Sequence, residues 1–349
     1  MEHPLTVICP GEAVSPRLSA ALDSALEGCQ AQVLPRLEGP PEGRRILFAI
    51  SLDSGGISHG LCDLLGFLRT RPGCLRGCTG GVLVDGPGEL YTKAAGRELV
   101  LAASMAGCAF PGRPLVEATG NLQNFTVQAR NAGCDLPGAY HLAAADLARR
   151  VLAFAPPRRE QPRLLVLHAS SHPASNTLAL WALCREHLEG VCDITEIGLR
   201  NGTLEDCAGC PYTACLHFGE QGRCFYGGTM VQEVYPAIRG ADGVVLLCPN
   251  YNDALPANLT AAVNRLTALY RAAPFDRTAV FALVVSGYSG GDLVASQVVS
   301  AMNMNKGFWL PPGFCLLETA NDPGAAARLP GIGERMEAFA KNIVAGIRG

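Results

Sequence analysis

Both halves of the chain alternate short apolar runs with segments whose apolar residues recur every three or four positions. The first pattern is typical of buried strands and the second of amphipathic helices. Strands that alternate with helices pair in parallel, and the helices cover both faces of the sheet. The sequence therefore predicts an α/β protein with doubly wound parallel sheets. The predicted strands are 6–9, 32–34, 46–50, 81–84, 114–118, 164–168, 193–197, 244–248, 279–286 and 314–318.

The 349 residues suffice for two domains, each with its own core. The proline- and charge-rich segment 156–162 reads as a linker between a domain at 1–155 and a domain at 163–349. The two halves also resemble each other. Three segments of the first, from Cys29, Arg45 and Val84, match segments of the second in the same order, which favours an internal duplication.

The composition excludes several functional classes. Apolar residues make up 48% of the chain, charged residues 17%, and the net charge is −3 without a basic stripe. These values indicate a globular protein that does not bind nucleic acid. No apolar run is long enough to span a membrane, and no signal peptide is evident. Fifteen cysteines without a signal peptide favour a reducing, cytoplasmic location.

The loop after the strand at 164–168 is the best candidate for an anion site. Small polar residues follow the strand, and Ser175 and Asn176 are suitable N-cap residues for the predicted helix at 177–189. The free N–H groups and the dipole of a helix N-terminus attract an anion, and phosphate is the expected one.

Residues 169–177, ASSHPASNT, resemble the G-S-P-R-x-x-G-N-T loop of the NADPH-dependent FMN reductase family of flavodoxin-like proteins. Ser170, Asn176 and Thr177 match that pattern, whereas His172 and Ser175 depart from it. In the family this loop holds the FMN phosphate. The resemblance covers roughly residues 163–320 and implies a flavodoxin-like second domain with an FMN site that includes these five residues. Together with the strand–helix pattern and duplication of the two halves, it predicts two tandem flavodoxin-like domains.

Two further loops extend the resemblance. Residues 249–253, PNYND, resemble the family's P-x-Y-x-G segment beside the flavin ring. There Pro249, Asn250, Tyr251 and Asn252 are candidate FMN contacts, and Asp253 replaces the usual glycine. The glycine-rich loop SGYSGG permits a flat ring to approach the backbone closely. It contributes the candidates Ser286, Gly287, Gly290 and Gly291. All three loops follow strands, on the side where doubly wound sheets bind ligands.

Four cysteines, Cys207, Cys210, Cys215 and Cys224, form a C-x2-C-x4-C-x8-C segment. Thiolates at this spacing suit a soft metal site, either a [4Fe–4S] cluster or zinc, and free redox-active thiols are the third alternative. The segment resembles the compact cysteine motif of iron–sulfur flavoproteins in the same family, with longer second and third gaps.

Residues 262–265, AVNR, likewise resemble a family helix that ends in Asp-Arg, here Asn264-Arg265.

The resemblance implies an FMN-dependent NAD(P)H oxidoreductase that reduces a flavin, a quinone or another small molecule. An electron carrier fed by a ferredoxin-type donor and a non-enzymatic scaffold are the alternatives. Relatives commonly dimerise, so a homo-oligomer is also expected. No residue is assigned as a catalytic acid or base, because the cofactor itself accepts the hydride.

The first half lacks the equivalent features. Its loops carry Glu12, Asp85 and Glu89, acids that would repel a phosphate, and it has no counterpart of Tyr251 or of the four cysteines. We therefore predict a degenerate first domain that binds no flavin and serves as a built-in partner for the second.

Overall fold

The computed structural model describes residues 5–11, 14–37, 39, 44–170 and 175–348. The chain divides into two compact units, Met1–Ala155 and Pro156–Gly349. Among the described residues, no helix combines the length and the apolar character that crossing a bilayer requires.

The first unit is a five-stranded parallel sheet in the order β2-β1-β3-β4-β5. Its strands are β1 (Leu5–Ile8), β2 (Ala31–Leu34), β3 (Arg45–Ser51), β4 (Thr79–Asp85) and β5 (Leu115–Ala118). Its helices are α1 (Pro16–Leu26), α2 (His59–Arg69), α3 (Thr92–Met105), α4 (Thr126–Ala132) and α5 (Leu136–Ala153), with a 3₁₀ turn at Gln123–Phe125. On one face, α1 and α5 cover Leu5, Val7, Leu47 and Leu83 of the sheet.

The second unit is also a parallel sheet, in the order β10-β9-β8-β6-β7. Its strands are β6 (Arg163–His168), β7 (Asp193–Gly198), β8 (Gly243–Pro249), β9 (Ala279–Ser286) and β10 (Cys315–Thr319). Its α-helices are α6 (Asn176–Glu186), α7 (Tyr212–Glu220), α8 (Tyr235–Gly240), α9 (Ala257–Ala272), α10 (Gly291–Val298) and α11 (Ile332–Ile347). Met230–Val234 and Val299–Lys306 are π-helical, and Ala326–Arg328 is a 3₁₀ turn.

Both sheets have the same strand order when each is numbered from its own first strand, 2-1-3-4-5, which is that of flavodoxin-like folds. The central strands β4 and β9 are buried along their whole length, as parallel strands covered on both faces must be. The predicted fold of two flavodoxin-like sheets is thus confirmed. In such sheets the ligand site lies beyond the carboxyl ends of the strands, where the polar loops of the second half fall.

The structure differs from the predicted elements at several places. Apolar periodicity predicts a helix at 292–304, which is α-helical only to Val298, and it predicts no helix where α4 and α7 lie. The predicted linker is bonded to the second unit. The Arg159 N–H donates to the Ile347 carbonyl (3.0 Å), and Arg158 Nη1 donates to the Arg348 carbonyl (2.8 Å).

Candidate functional site

The loop between β6 and α6 begins with a histidine at the strand end. The ring Nδ1 of His168 lies 3.1 Å from the Ser170 carbonyl oxygen, and burial lowers the pKa of this histidine. The neutral ring therefore donates Nδ1–H to the carbonyl that opens the loop. Residues 171–174, with the candidate His172, lie outside the described residues.

Helix α6 starts with the predicted cap. Ser175 is the N-cap, and its Oγ accepts a hydrogen bond from the Leu178 N–H (3.3 Å). The Thr177 side chain is buried, and its Oγ1 lies 3.1 Å from Ser175 Oγ. Because one hydroxyl caps the helix and the other is enclosed, the N–H groups of the first turn are the main anion donors at this site.

The Asn176 side chain bonds to the loop that follows β10. Its Nδ2 donates to the carbonyls of Ala320 (3.1 Å) and Asp322 (3.0 Å), and its Oδ1 accepts from the Ala326 N–H (3.2 Å). Both amide hydrogens are thus used within the protein. The side chain holds the start of α6 against the loop that follows β10, and the predicted phosphate contact of Asn176 would then come from its backbone N–H.

The loop after β8 is held by Asn250. Its Nδ2 lies within hydrogen-bonding distance of Ser286 Oγ (3.1 Å), the Ser289 carbonyl (2.9 Å) and Asp253 Oδ1 (3.2 Å). Its Oδ1 is buried and has no partner among the described residues. Asn250 therefore joins the second and third loops and leaves one acceptor for a ligand.

The same loop turns through two residues in the left-handed region, Asn252 (φ 55°) and Asp253 (φ 57°). Asparagine and aspartate tolerate this conformation better than other side chains, which explains how Asp253 replaces the family's glycine. The turn leaves Tyr251, which follows Pro249 at the end of β8, 60% exposed. Its ring is free to stack on a flat ligand.

The loop after β9 approaches the other two closely. Gly290 has φ 81°, and a Cβ there would overlap the Asp253 carboxylate, so only glycine fits. Ser286 is buried, whereas the Tyr288 ring is 81% exposed and its hydroxyl accepts from Asn321 Nδ2 (3.1 Å). Gly287 also faces Asn321, and Gly291 faces Ser286 Oγ.

These contacts bring the described residues of the predicted site together beyond the carboxyl ends of the strands. Asn176, Asn250 and Asn321 connect the loops that follow β6, β8, β9 and β10. Asn321 was not predicted. Its only sequence signal is its place just after an apolar run, beside the glycine loop of the neighbouring strand.

The four cysteines of the 207–224 segment line one cavity of about 190 Å³. Cys207 is exposed, and Cys210, Cys215 and Cys224 are half-buried. All fifteen cysteines are free thiols. No three His, Cys, Asp or Glu side chains in the described part of the chain are arranged to hold a metal ion. The thiols converge on one space without forming a preorganised coordination site.

Helix α9 fixes both ends of the cysteine segment through Asn264 and Arg265. Asn264 Nδ2 donates to Asp206 Oδ1 (3.0 Å). Arg265 Nη2 donates to the Gly227 carbonyl (2.7 Å) and Nη1 to the Glu205 carbonyl (3.4 Å). The arginine is only 3% exposed and lines the cavity of the four thiols, and its buried Nε has no partner among the residues that the structure describes. It supplies a positive charge beside the thiols.

In the first unit an ion pair lies at the equivalent edge. Arg17, in the first turn of α1, donates through Nε (2.7 Å) and Nη2 (3.2 Å) to the carboxylate of Asp85, the last residue of β4. The same guanidinium also donates to the carbonyls of Gly86 (2.9 Å) and Gly120 (3.0 Å). Asp85, expected to repel a phosphate, is thus neutralised and ties the loops together.

The other acids of the first unit also differ from expectation. Glu89 Oε1 accepts from the Asn121 N–H (2.9 Å), so this carboxylate braces a loop. Glu12 lies outside the described residues. Only the stretch 35–44 joins β2 to β3, so the first unit has no equivalent of the cysteine segment.

Residues 162–322 match the model of the family described as NADPH-dependent FMN reductase. No curated protein sequence matches the chain significantly. Similar solved structures include an NAD(P)H:quinone oxidoreductase from Methanothermobacter marburgensis (15% identity, 52% of this chain and 99% of that chain, TM-score 0.41). Others are an NADH:FMN oxidoreductase in its apo form (13%, 54% and 91%, TM-score 0.39) and an FMN-dependent NADH-azoreductase from Bacillus anthracis in complex with FMN (13%, 52% and 99%, TM-score 0.34).

Proposed function

We propose that the second domain binds FMN across its three polar loops and reduces a flat small molecule. Residues 162–322 place this domain in the NADPH-dependent FMN reductase family. Family membership makes this domain an FMN-dependent NAD(P)H oxidoreductase. The acceptor we propose is a flavin or a quinone. The observation that carries the proposal is the convergence of the loops after β6, β8 and β9 at one edge of the sheet.

The residues at this edge fit FMN. The first turn of α6 offers N–H groups and the positive end of a helix dipole to the phosphate. The buried, unpartnered Asn250 Oδ1 is an acceptor for an N–H of the flavin ring. The exposed rings of Tyr251 and Tyr288 supply stacking surface.

When bound, FMN supplies the hydride-accepting centre, and the chain's own residues bind and orient it. In this proposal Asn176 and Asn321 keep the four loops at fixed separations, and Asn250 orients the ring. The exposure of Tyr251 and Tyr288 leaves one side of the site open to solvent, which suits an acceptor that binds and leaves between turnovers.

Substitution of Tyr251 tests the flavin site. Tyr251→Leu should weaken FMN binding about two- to tenfold, because an aromatic contact is worth about 0.5–1.5 kcal/mol. Tyr251→Phe keeps the ring and is the matched control. Flavin fluorescence titration of both variants gives the affinities. Equal affinity for wild type and Tyr251→Leu would place the ring elsewhere.

The second candidate function is electron transfer through the four thiols, and the charge around their cavity favours it. Arg265 lines the cavity and pairs with no carboxylate in the described residues, and its Nε lacks a partner. Four thiolates around a metal or a cluster carry net negative charge, which this guanidinium would offset. The thiols fit such a group by donor type and convergence, and their side chains must reorient to bind it.

Metal analysis of protein purified without oxygen decides this candidate. Iron, acid-labile sulfide and zinc should be assayed together with the absorbance spectrum. A metal that disappears in Cys210→Ser but persists in Cys62→Ser, an exposed thiol of the first unit, supports the metal site. Protein replete in flavin but without metal leaves redox-active or structural thiols as the role of the segment.

The electron donor separates the reductase from the carrier. Rapid oxidation of NADPH or NADH by the FMN-loaded chain with a quinone is the outcome expected for a reductase. Reduction of the flavin by reduced ferredoxin, without turnover of either nicotinamide, is the outcome expected for a carrier. A chain that binds neither flavin nor metal would instead be a scaffold.

A further inference from the structure

A second cavity in the carboxyl-terminal unit, of about 740 Å³, lies between α7, the end of α9 and the π-helical segment Val299–Lys306. We propose that it binds a small molecule through an oxyanion group, a phosphate or a carboxylate. The lining residues that carry the proposal are Tyr212, Thr267, Tyr270, Arg271, Asn305 and Lys306.

The cavity holds two positive charges without a counter-charge. No Asp or Glu lines it, and neither Arg271 nor Lys306 pairs with a carboxylate within the part of the chain that the structure describes. The Lys306 ammonium donates to Thr267 Oγ1 (2.6 Å). The Lys306 side chain is half-buried, and this burial lowers its pKa.

Arg271 is oriented but incompletely bonded. Its guanidinium carbon lies 4.1 Å from the centre of the Tyr212 ring, so the group is held by stacking on the aromatic face. Its Nε is buried and has no hydrogen-bond partner in the described residues. The protein therefore does not saturate this guanidinium, and its terminal N–H groups are the donors that an oxyanion would bind.

The helix ends alone do not balance these charges. Arg271 lies in the last turn of α9, and Lys306 ends the π-helical segment. A helix carboxyl end contributes only about half a negative charge. A net positive charge therefore remains in the cavity, and an oxyanion would neutralise it.

The geometry also indicates the ligand class. A planar guanidinium bonds two oxygens of a phosphate or carboxylate at once, and an ammonium adds a third contact. The rings of Tyr212 and Tyr270 offer surface to the rest of the molecule. The volume falls within the roughly 300–1,000 Å³ of small-molecule sites.

This cavity is separate from the proposed FMN site at the carboxyl ends of the strands. Helix α9 starts at Ala257, just after the loop that carries Tyr251, and reaches Arg271 about 20 Å further along at 1.5 Å per residue. The cavity shares Asn264, Thr267 and Arg271 with the thiol cavity. A ligand bound here would thus contact the wall of the thiol cavity and not the flavin.

Calorimetric titration of the FMN-saturated chain tests the proposal. Saturation with FMN keeps the probes from binding at the proposed FMN phosphate site. The probes are inorganic phosphate and succinate, at constant ionic strength. The wild type should bind at least one probe saturably, and the tighter probe identifies the source of the oxyanion. Arg271→Gln with Lys306→Gln should weaken binding about tenfold or more, because two charge-assisted contacts are lost.

Arg277→Gln is the matched control, because Arg277 is exposed and lies six residues beyond Arg271 outside the cavity lining. It should leave the affinity unchanged. The single variant Lys306→Gln, checked by circular dichroism, covers the case in which the double variant unfolds. No saturable binding by the wild type, or equal affinity in wild type and both cavity variants, would overturn the proposal.

Discussion

At the scale of single residues, Asn176 shows how a motif residue can act through the protein instead of through the ligand. Sequence spacing predicted it at the start of α6, and there it lies. Its three partners come from residues 320–326, more than 140 positions away, and such pairing is not encoded in local spacing. The location of this residue could be predicted from the sequence, but its bonds could not.

Substitution of Asn176 should therefore affect both stability and flavin binding. Asn176→Ala removes three hydrogen bonds and should lower the free energy of unfolding by about 1–3 kcal/mol. FMN affinity should fall by about tenfold, because the loop after β10 loses its anchor. Urea unfolding and flavin titration measure the two effects.

Asn342 offers a matched control. Its Nδ2 also donates to two carbonyls, those of Pro312 and Gly313. These residues precede β10 and so lie at the amino-terminal ends of the strands, away from the proposed FMN site. Asn342→Ala should cost similar stability and leave FMN affinity unchanged. If both variants lose affinity equally, the effect of Asn176 is general destabilisation.

His168 makes the stability of the second domain depend on pH. Burial lowers its folded-state pKa below the ordinary value of 6.5. As pH falls, the unfolded chain therefore protonates this histidine before the folded chain does. The contribution of His168 to the free energy of unfolding is fully present above about pH 6.5 and is lost as pH falls from there to the folded-state pKa. His168→Gln should reduce the loss between about pH 7.5 and about pH 5.5. Identical losses in both proteins, measured by urea unfolding, would contradict this.

At the scale of elements, sequence pattern located every strand to within two residues. The inner strands were clearest, because buried parallel strands have nearly unbroken apolar runs, whereas the outer strands β2 and β7 are mostly exposed. Apolar periodicity missed α7, which lies inside the cysteine segment. Gly219 is the only buried residue of α7, so no buried apolar face marks this helix in the sequence, and tertiary contact with α9 stabilises it. The two π-helical segments overlap the helices that the sequence predicted at 230–239 and 292–304, but apolar spacing did not distinguish the π-helical from the α-helical part.

The packing of α7 on α9 depends on Gly219. A Cβ at this position would overlap the Ala268 carbonyl oxygen, and a backbone atom cannot move aside. Gly219→Ala should therefore lower the free energy of unfolding by about 1–3 kcal/mol and separate the two helices that flank the thiols.

Gly333 in α11 provides the opposite case, since a Cβ there meets nothing within 4 Å. Gly333→Ala should raise stability by about 0.5–1 kcal/mol through helix propensity. Urea unfolding compares the two substitutions. A neutral Gly219→Ala would mean that α7 shifts without cost.

At the scale of the whole molecule, the matching segments of the two halves predicted a duplication, and the two sheets share one strand order. Sequence comparison did not reveal the Arg17–Asp85 pair, since residues 68 positions apart give no local signal. Because the pair neutralises Asp85, this acid does not repel a phosphate as the sequence analysis expected, and the absence of flavin from the first domain stays a prediction. The acid is neutralised internally, and the guanidinium joins the loops.

One FMN per chain is the expected stoichiometry, with Arg17 important for stability alone. Arg17→Met leaves the buried Asp85 carboxylate without its cation and should lower the free energy of unfolding by about 2 kcal/mol or more. This figure is smaller than that for a fully buried pair, because the arginine is partly exposed. The double variant Arg17→Met with Asp85→Leu should recover part of that loss. FMN content should not change in either variant. Two flavins per chain would refute the degenerate first site.

The shared strand order also matters for how the chain folds. Tandem domains of one topology are prone to exchange equivalent strands during folding, because β1 and β6 are both apolar central strands. Synthesis from the amino terminus lets the first sheet close before the second is complete. The two halves also join their second and third strands differently, through residues 35–44 and 199–242. The order in which the ribosome releases the halves, together with this unequal connection, thus disfavours misassembly between two domains of the same strand order.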